Sequence, residues 1–207
     1  MSVMIVDPCC YTREGISGYL KHKKGAKRMI IDASSLKILA SLFYQTAPRL
    51  VIVNDHTFYE EGFCFDGLKR LIADNRTVLF VIFVASFYIR YQELVQLDSN
   101  VLICSKEIDT STLSALLSPN FFNTKVANEV CKFIPSQAER NLLGLWMAGM
   151  DTPRITRSLN ICAKTVSSHK GNIKKKLKTH NMQIIFNIMR LSQILLLPQQ
   201  ANRPSWR

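Results

Sequence analysis

Beyond Asp151 the chain has no acidic residue. Over the same stretch, Thr152 to Arg207, it carries eleven lysines and arginines, a charge of +11. Residues 1–151 hold sixteen basic and fifteen acidic residues and are nearly neutral. This split excludes a carboxylate-based cation site at the C-terminal end and implies a module facing a polyanion. The six cysteines (Cys9, Cys10, Cys64, Cys104, Cys131 and Cys162) form no CxxC and no paired spacing. That argues against a disulfide framework or a zinc centre and for reduced thiols. The longest apolar run, Val78 to Ala85, is far shorter than the roughly 20 residues that cross a bilayer. The opening MSVMIVDP lacks the basic region and long apolar stretch of a secretion signal, so a cytoplasmic protein is expected. No glycine-rich phosphate loop, paired-carboxylate cleft or Ser-His-Asp pattern is evident, so neither catalysis nor a cofactor or metal is expected.

With 47% hydrophobic and 20% charged residues, the chain has the composition of a folded globular protein. Its first part alternates two kinds of segment. Apolar runs at 2–7, 28–32, 50–54, 78–84 and 101–105 are separated by helix-type stretches at 12–21, 34–45, 66–75, 89–97 and 110–117. Near-continuous apolar strands between amphipathic helices predict a five-stranded parallel sheet covered on both faces, an α/β flavodoxin-like domain over 1–118. Residues 119–133 have no clear period and read as a linker. The pattern is then purely helical over 134–197, and 198–207 reads as a tail.

The helical part opens with a capping box, Ser136-Gln137-Ala138-Glu139. The helix that follows should bury Leu142, Leu143, Leu145 and Trp146 and end at Gly149. Asp151 is placed to cap a second helix containing the Ile155/Leu159 pair. After a short break comes KTVSSHKGNIKKKLKTH, with six lysines in seventeen residues and a central glycine. Counted as a helix, Val166, Ile173 and Leu177 fall within about 20° of one direction. Lys164, Ser168, Gly171, Lys175 and Lys178 lie opposite, flanked by Ser167 and Lys174. Short side chains framed by lysines suit the major groove of duplex DNA. Glycine costs such a helix about 1 kcal/mol against alanine, which close approach to another surface would explain. A solvated face is the plain alternative. A membrane-surface helix would need a broad apolar face with aromatic anchors, and this stripe is narrow. His169 sits about 60° from the buried stripe and reads as a packed or phosphate-touching residue rather than a metal ligand. A last helix carries Ile184, Ile188, Leu191 and Leu195 at spacings of four, three and four. Packing on the module's own first helix and packing on a partner helix both account for it.

From Ser136 to Asn181, including Lys164-Thr165-Val166, His169, Asn172-Ile173 and Lys176-Leu177, the chain resembles the LuxR/FixJ-type helix-turn-helix family. TVSSHKGNIKKKL departs from that family's usual TVKxHxxNIxxKL at one position, Ser167. The resemblance implies an all-α four-helix DNA-binding domain. It puts Ser167, Ser168 and Gly171 at base edges, and Lys164, Thr165, Lys170 and Lys175 at phosphates. Arg154 stands where the family has the glutamate of a second capping box. A narrower resemblance covers most of the chain, from DPCCYTREGISGYL through WMAG at 146–149. It is to auxiliary regulators of capsule synthesis in the Rcs phosphorelay. It implies an activator of capsular polysaccharide genes that pairs with an RcsB-like response regulator and reaches RNA polymerase only indirectly. A self-sufficient homodimeric regulator answering an unknown ligand is the competing reading.

The same resemblance implies that the first domain is a response-regulator receiver used for dimerisation. Asp7, Asn54, Ser86 and Lys106 fall at the positions of its acidic pair, phosphate acceptor, hydroxyl and lysine. Asn54 cannot form an acyl phosphate, and Asp55 beside it points to the other face of its strand. The domain is therefore expected to be a pseudo-receiver.

Overall fold

A computed structural model describes residues 2–22, 29–59, 65–84, 91–118, 121 and 124–196. Ser86 and the 198–207 tail lie outside the described residues. Strands β1 (Ser2–Val6), β2 (Met29–Ala33), β3 (Leu50–Asn54) and β4 (Leu79–Val84) alternate with helices α1 (Cys10–His22), α2 (Leu36–Thr46) and α3 (Phe65–Asp74). A short 3-10 turn, Asp55–Tyr59, follows β3. Next come β5 (Val95–Asp98), β6 (Val101–Ser105), α4 (Thr110–Leu116), α5 (Lys125–Asn128) and β7 (Cys131–Lys132). The chain closes with α6 (Gln137–Met147), α7 (Thr152–Leu159), α8 (Ala163–Lys176) and α9 (Met182–Leu195).

The sheet order is β2-β1-β3-β4-β6-β5-β7. Its β2-β1-β3-β4-β6 part is parallel throughout and is the five-stranded sheet the alternation predicts. Every residue of β3 and β6 is buried, as a strand flanked by others and covered on both faces requires. Successive side chains leave opposite faces. Met4, Val6, Val51 and Val53 join α2 and α3 in one core, while Val3, Ile5, Leu50 and Ile52 join α1 and α4 in another.

One expected helix is absent. Residues 89 and 90 lie outside the described residues, and 91–97 do not form it: Val95–Asp98 is a strand antiparallel to β6, and β7 adds a seventh strand beside it. Val95-Gln96-Leu97-Asp98 alternates buried and half-buried positions, a period of two. Ser99 and Asn100 then make the two-residue turn into β6. The buried Asn100 amide fixes that turn by donating to the carbonyls of Ile72 and Asn75, both at 3.1 Å. Within 119–133, the Lys125–Asn128 helical turn and the β7 pairing are ordered parts of the fold.

Helix α9 takes over the cover that the missing helix would have given. It packs against α3 and α6, and its buried Ile184, Ile188 and Leu191 share one core with Ile82, Phe80 and Ile103 of the sheet. The stripe on α9 thus serves its own chain twice, on α6 and on the N-terminal sheet. Burial of this kind is worth roughly 1.5–3 kcal/mol for each large aliphatic side chain, which favours the two parts staying together.

Candidate nucleic-acid interface

The capping box at Ser136 forms in full. The Ser136 hydroxyl accepts from the Glu139 N–H at 3.2 Å, and the Glu139 carboxylate accepts from the Ser136 N–H at 2.7 Å. At the other end of α6, Gly149 takes φ 77°, and the Met150 N–H reaches the Leu145 carbonyl at 3.1 Å. This left-handed exit reverses the chain tightly. Asp151 then caps α7 by accepting from the Arg154 N–H at 2.9 Å. Arg154 therefore replaces the usual glutamate without loss of the cap, since the aspartate acts alone. Asn160, at φ 51°, ends α7 and turns the chain into α8.

Helix α8 is held from behind by Val166, Ile173 and Leu177, all fully buried. Lys164, Ser167, Ser168 and Lys175 are exposed on the other side, with Gly171 and Lys174 half-buried. A Cβ added at Gly171 meets nothing within 4 Å, so the protein's own packing does not require glycine there. Thr165 is half-buried, its hydroxyl 3.1 Å from the Cys162 sulfur at the start of α8. Hydrogen bonds from Thr165 hold the exposed Cys162 thiol below the ordinary cysteine range. Lys170 lies over the Trp146 ring, 4.5 Å from its centroid, with Thr152 Oγ1 3.4 Å away. Partial burial and the nearby Lys174 charge lower its pKa.

Lys178 is not on the outward face. Helix α8 stops at Lys176, and Lys178 adopts φ 48°, which breaks the helical count that grouped it with Lys164 and Lys175. Its ammonium pairs with Glu93 at 2.9 Å, and the Tyr91 hydroxyl donates to the Leu177 carbonyl at 2.8 Å. Neither Tyr91 nor Glu93 carries a sequence signal for this role, because the pairing joins positions some 85 residues apart. Lys176 turns the other way and pairs with the buried Glu139 at 2.6 Å.

The carboxyl end of the parallel strands gathers Asp7, Asn54 and Lys106. Asp7 is buried, and its Oδ2 accepts from Asn54 Nδ2 at 2.9 Å and from Lys106 Nζ at 2.7 Å. Its Oδ1 accepts from the Cys9 N–H at 2.8 Å. Asn54 Oδ1 in turn accepts from the His56 N–H at 3.1 Å. The single carboxylate is thus balanced by an internal ammonium and an amide. Among the described residues no group of three His, Cys, Asp or Glu side chains is placed to hold a metal ion.

Residues 2–129 match the family model of the RcsA transcriptional regulator's N-terminal dimerisation domain, which is more than half of the chain. The chain belongs to the RcsA family. Residues 136–189 match the luxR family of bacterial regulatory proteins, so this RcsA-family chain is a DNA-binding transcriptional regulator and not an enzyme. Among RcsA proteins it is 38% identical to that of Erwinia amylovora, over 93% of this chain and 94% of the relative. It is 37% identical to that of Klebsiella aerogenes, over 98% and 99%. In fold it is similar to RcsB of Salmonella enterica serovar Typhimurium bound to promoter rprA. That likeness has a TM-score of 0.59 at 18% identity, covering 91% of this chain and 98% of that one. No described helix is long and apolar enough to cross a membrane.

Proposed function

We propose that α8 enters the major groove of duplex DNA and that this RcsA-family chain activates capsular polysaccharide genes together with an RcsB-like response regulator. One observation carries the first half. The outward face of α8 is cationic and small at its centre, and no packing inside the protein accounts for Gly171. Ser167, Ser168 and Gly171 face base edges. Lys164, Lys174 and Lys175 reach phosphates directly, while Thr165 and Lys170 do so from the helix flank. Lys178 is kept for Glu93 and is left out of this set. One such module buries little surface, so useful affinity needs a second on an adjacent half-site. The N-terminal unit, residues 1–118, serves as the dimerisation platform, residues 119–133 join it to the module at 134–197, and RNA polymerase is reached through the partner.

In this reading the Asp7–Asn54–Lys106 cluster is a closed structural site, and activity follows the amount of protein rather than its phosphorylation. Titrating a capsule-promoter fragment with the protein, alone and mixed with RcsB, tests the pairing. A large gain in affinity on mixing is expected, and tight specific binding by the protein alone would favour a homodimer. Incubation with Mg²⁺ and acetyl phosphate should leave the chain unlabelled; stoichiometric label on Asp55 would overturn the pseudo-receiver.

A further inference from the structure

Helix α7 carries two arginines that its own stability does not call for. Arg154 and Arg157 are both exposed, three residues apart on the same helix. Arg154 is the third residue of α7, in the first turn, where the partial positive charge of the helix start disfavours a cation. Like charges three residues apart also repel. A glutamate at Arg154, the family's usual residue, would suit the helix start and complete a capping box with Asp151. Among the described residues no ion pair includes either arginine. Arg157 Nε donates to the Pro153 carbonyl at 3.3 Å, within the helix, and the chain beyond Asp151 contains no acid.

The position of α7 beside α8 supplies a reason. Ile155 is fully buried in the core that also takes Val166 and Ile173 of α8, so the two helices share one interior. By helical count Arg157 lies opposite the Ile155/Leu159 stripe, with Arg154 about 60° from it. The join between the helices is cationic too, since Lys170 Nζ lies 3.4 Å from Oγ1 of Thr152, the first residue of α7. A helix with its side chains is about 10–12 Å across and the major groove about 12 Å wide, so one helix fills it. Packed helices lie about 8–10 Å apart. With α8 in the groove, α7 therefore lies over the groove's edge, where the phosphates run.

We propose that Arg154 and Arg157 grip the DNA backbone beside the groove that α8 reads. The inference rests on α8 as the DNA-facing helix and adds α7 as its positioning element. Such contacts fix the module on the duplex and carry no base preference. A guanidinium suits the task, because its planar N–H groups hold a phosphate through two hydrogen bonds at once. A phosphate also explains a cation at the start of a helix, where an anion is favoured by the guanidinium and by the helix itself. Solvent would leave that cation uncompensated.

The experiment uses the full chain and fluorescence anisotropy with two labelled duplexes, a capsule-promoter fragment and a random sequence, over about 50–200 mM salt. Arg154→Gln and Arg157→Gln should each lower affinity about tenfold near 0.1 M salt, equally on both duplexes, and reduce the slope of log affinity against log salt by about 0.9. Arg154→Lys should keep the parent slope. Arg154→Glu should bind more weakly still, yet melt at a higher temperature than the parent, because an acid suits the helix start. Lys37→Glu, the same change of charge at an exposed position on α2, should leave binding nearly unchanged. The proposal fails if Lys37→Glu loses as much affinity as Arg154→Glu, or if the glutamine variants keep the parent slope. It fails also if Arg154→Glu melts at a lower temperature, since the arginine would then serve the fold. Reduced slopes for the arginine variants with none for Lys164→Ala and Lys175→Ala would keep α7 on the phosphates and remove α8 from the groove.

Discussion

The ammonium of Lys178 lies 2.9 Å from the carboxylate of Glu93, which ties the end of α8 to the N-terminal domain. Tyr91, two residues earlier, donates to the Leu177 carbonyl and so satisfies a group that the end of α8 leaves open. The Glu93 hydrogen bond raises the Lys178 pKa. A raised lysine pKa means that this contribution is complete below the ordinary lysine value and is lost as pH rises through the folded value. Lys178 is exposed and Glu93 half-buried at the surface, so solvent screens the pair: Glu93→Gln should cost below about 1 kcal/mol, and Tyr91→Phe about 1 kcal/mol. Urea unfolding of the single and double variants checks this. A double variant no less stable than the parent would mean that the domains are not joined here.

The outward lysines should differ from Lys178 in their salt dependence. Removing one lysine–phosphate interaction reduces the slope of log affinity against log salt by about 0.9. Lys164→Ala and Lys175→Ala should each show that reduction on duplex DNA. Lys178→Ala should leave the slope of the parent. Equal reductions at all three positions would restore Lys178 to the DNA-facing set.

At Gly171 stability and function should move in opposite directions. Alanine fits without a clash and should stabilise α8 by about 1 kcal/mol. Leucine at the same position should retain the fold and lower affinity for specific DNA by tenfold or more, because its side chain stands between the helix and the groove. Unchanged operator affinity for Gly171→Leu would remove the close-approach argument.

The pseudo-receiver site should respond to restoring a carboxylate. Asn54→Asp would place a second acid against Asp7, where the amide now donates at 2.9 Å with Lys106 beside it. Repulsion and the lost hydrogen bond should cost about 1–3 kcal/mol at neutral pH. Millimolar Mg²⁺, a hard cation drawn to paired carboxylates, should return part of that. Denaturation with and without Mg²⁺ measures both effects, and the parent should be indifferent to the ion. A variant already as stable as the parent in the absence of Mg²⁺ would show that the cluster is not closed as described.

Acid should act on α6. Burial by itself would push the Glu139 carboxyl up, but Lys176 and the Ser136 N–H hold it below the ordinary glutamate value. A depressed carboxylate pKa contributes stability above the unfolded value and loses it as pH falls through the folded one. Lys176→Met should therefore cost about 1–3 kcal/mol at pH 7, and less as pH drops below the ordinary glutamate range. Thermal melts across that range provide the measurement. A cost that does not vary with pH would point to lost packing rather than to the charge pair.

Local chemistry made much of this protein legible without coordinates. Ser136, Glu139, Gly149 and Asp151 specify where α6 and α7 start and stop, because caps and left-handed exits depend on neighbouring residues alone. Val166 and Ile173 fix which side of α8 turns inward, since helical period needs only spacing. The parallel strands follow from unbroken β-branched runs such as that of β3. Tertiary structure decided the rest. The stretch before β6 became a strand because a two-residue turn and the Asn100 amide let it pair with β6. Lys178 left the outward face of α8 because the chain turns after Lys176 and Glu93, distant in sequence, pairs with it. The stripe on α9, which spacing left with two destinations, was settled by the sheet face it covers. Sequence determines what each segment can bury and how it ends; which surfaces meet depends on the whole chain closing at once.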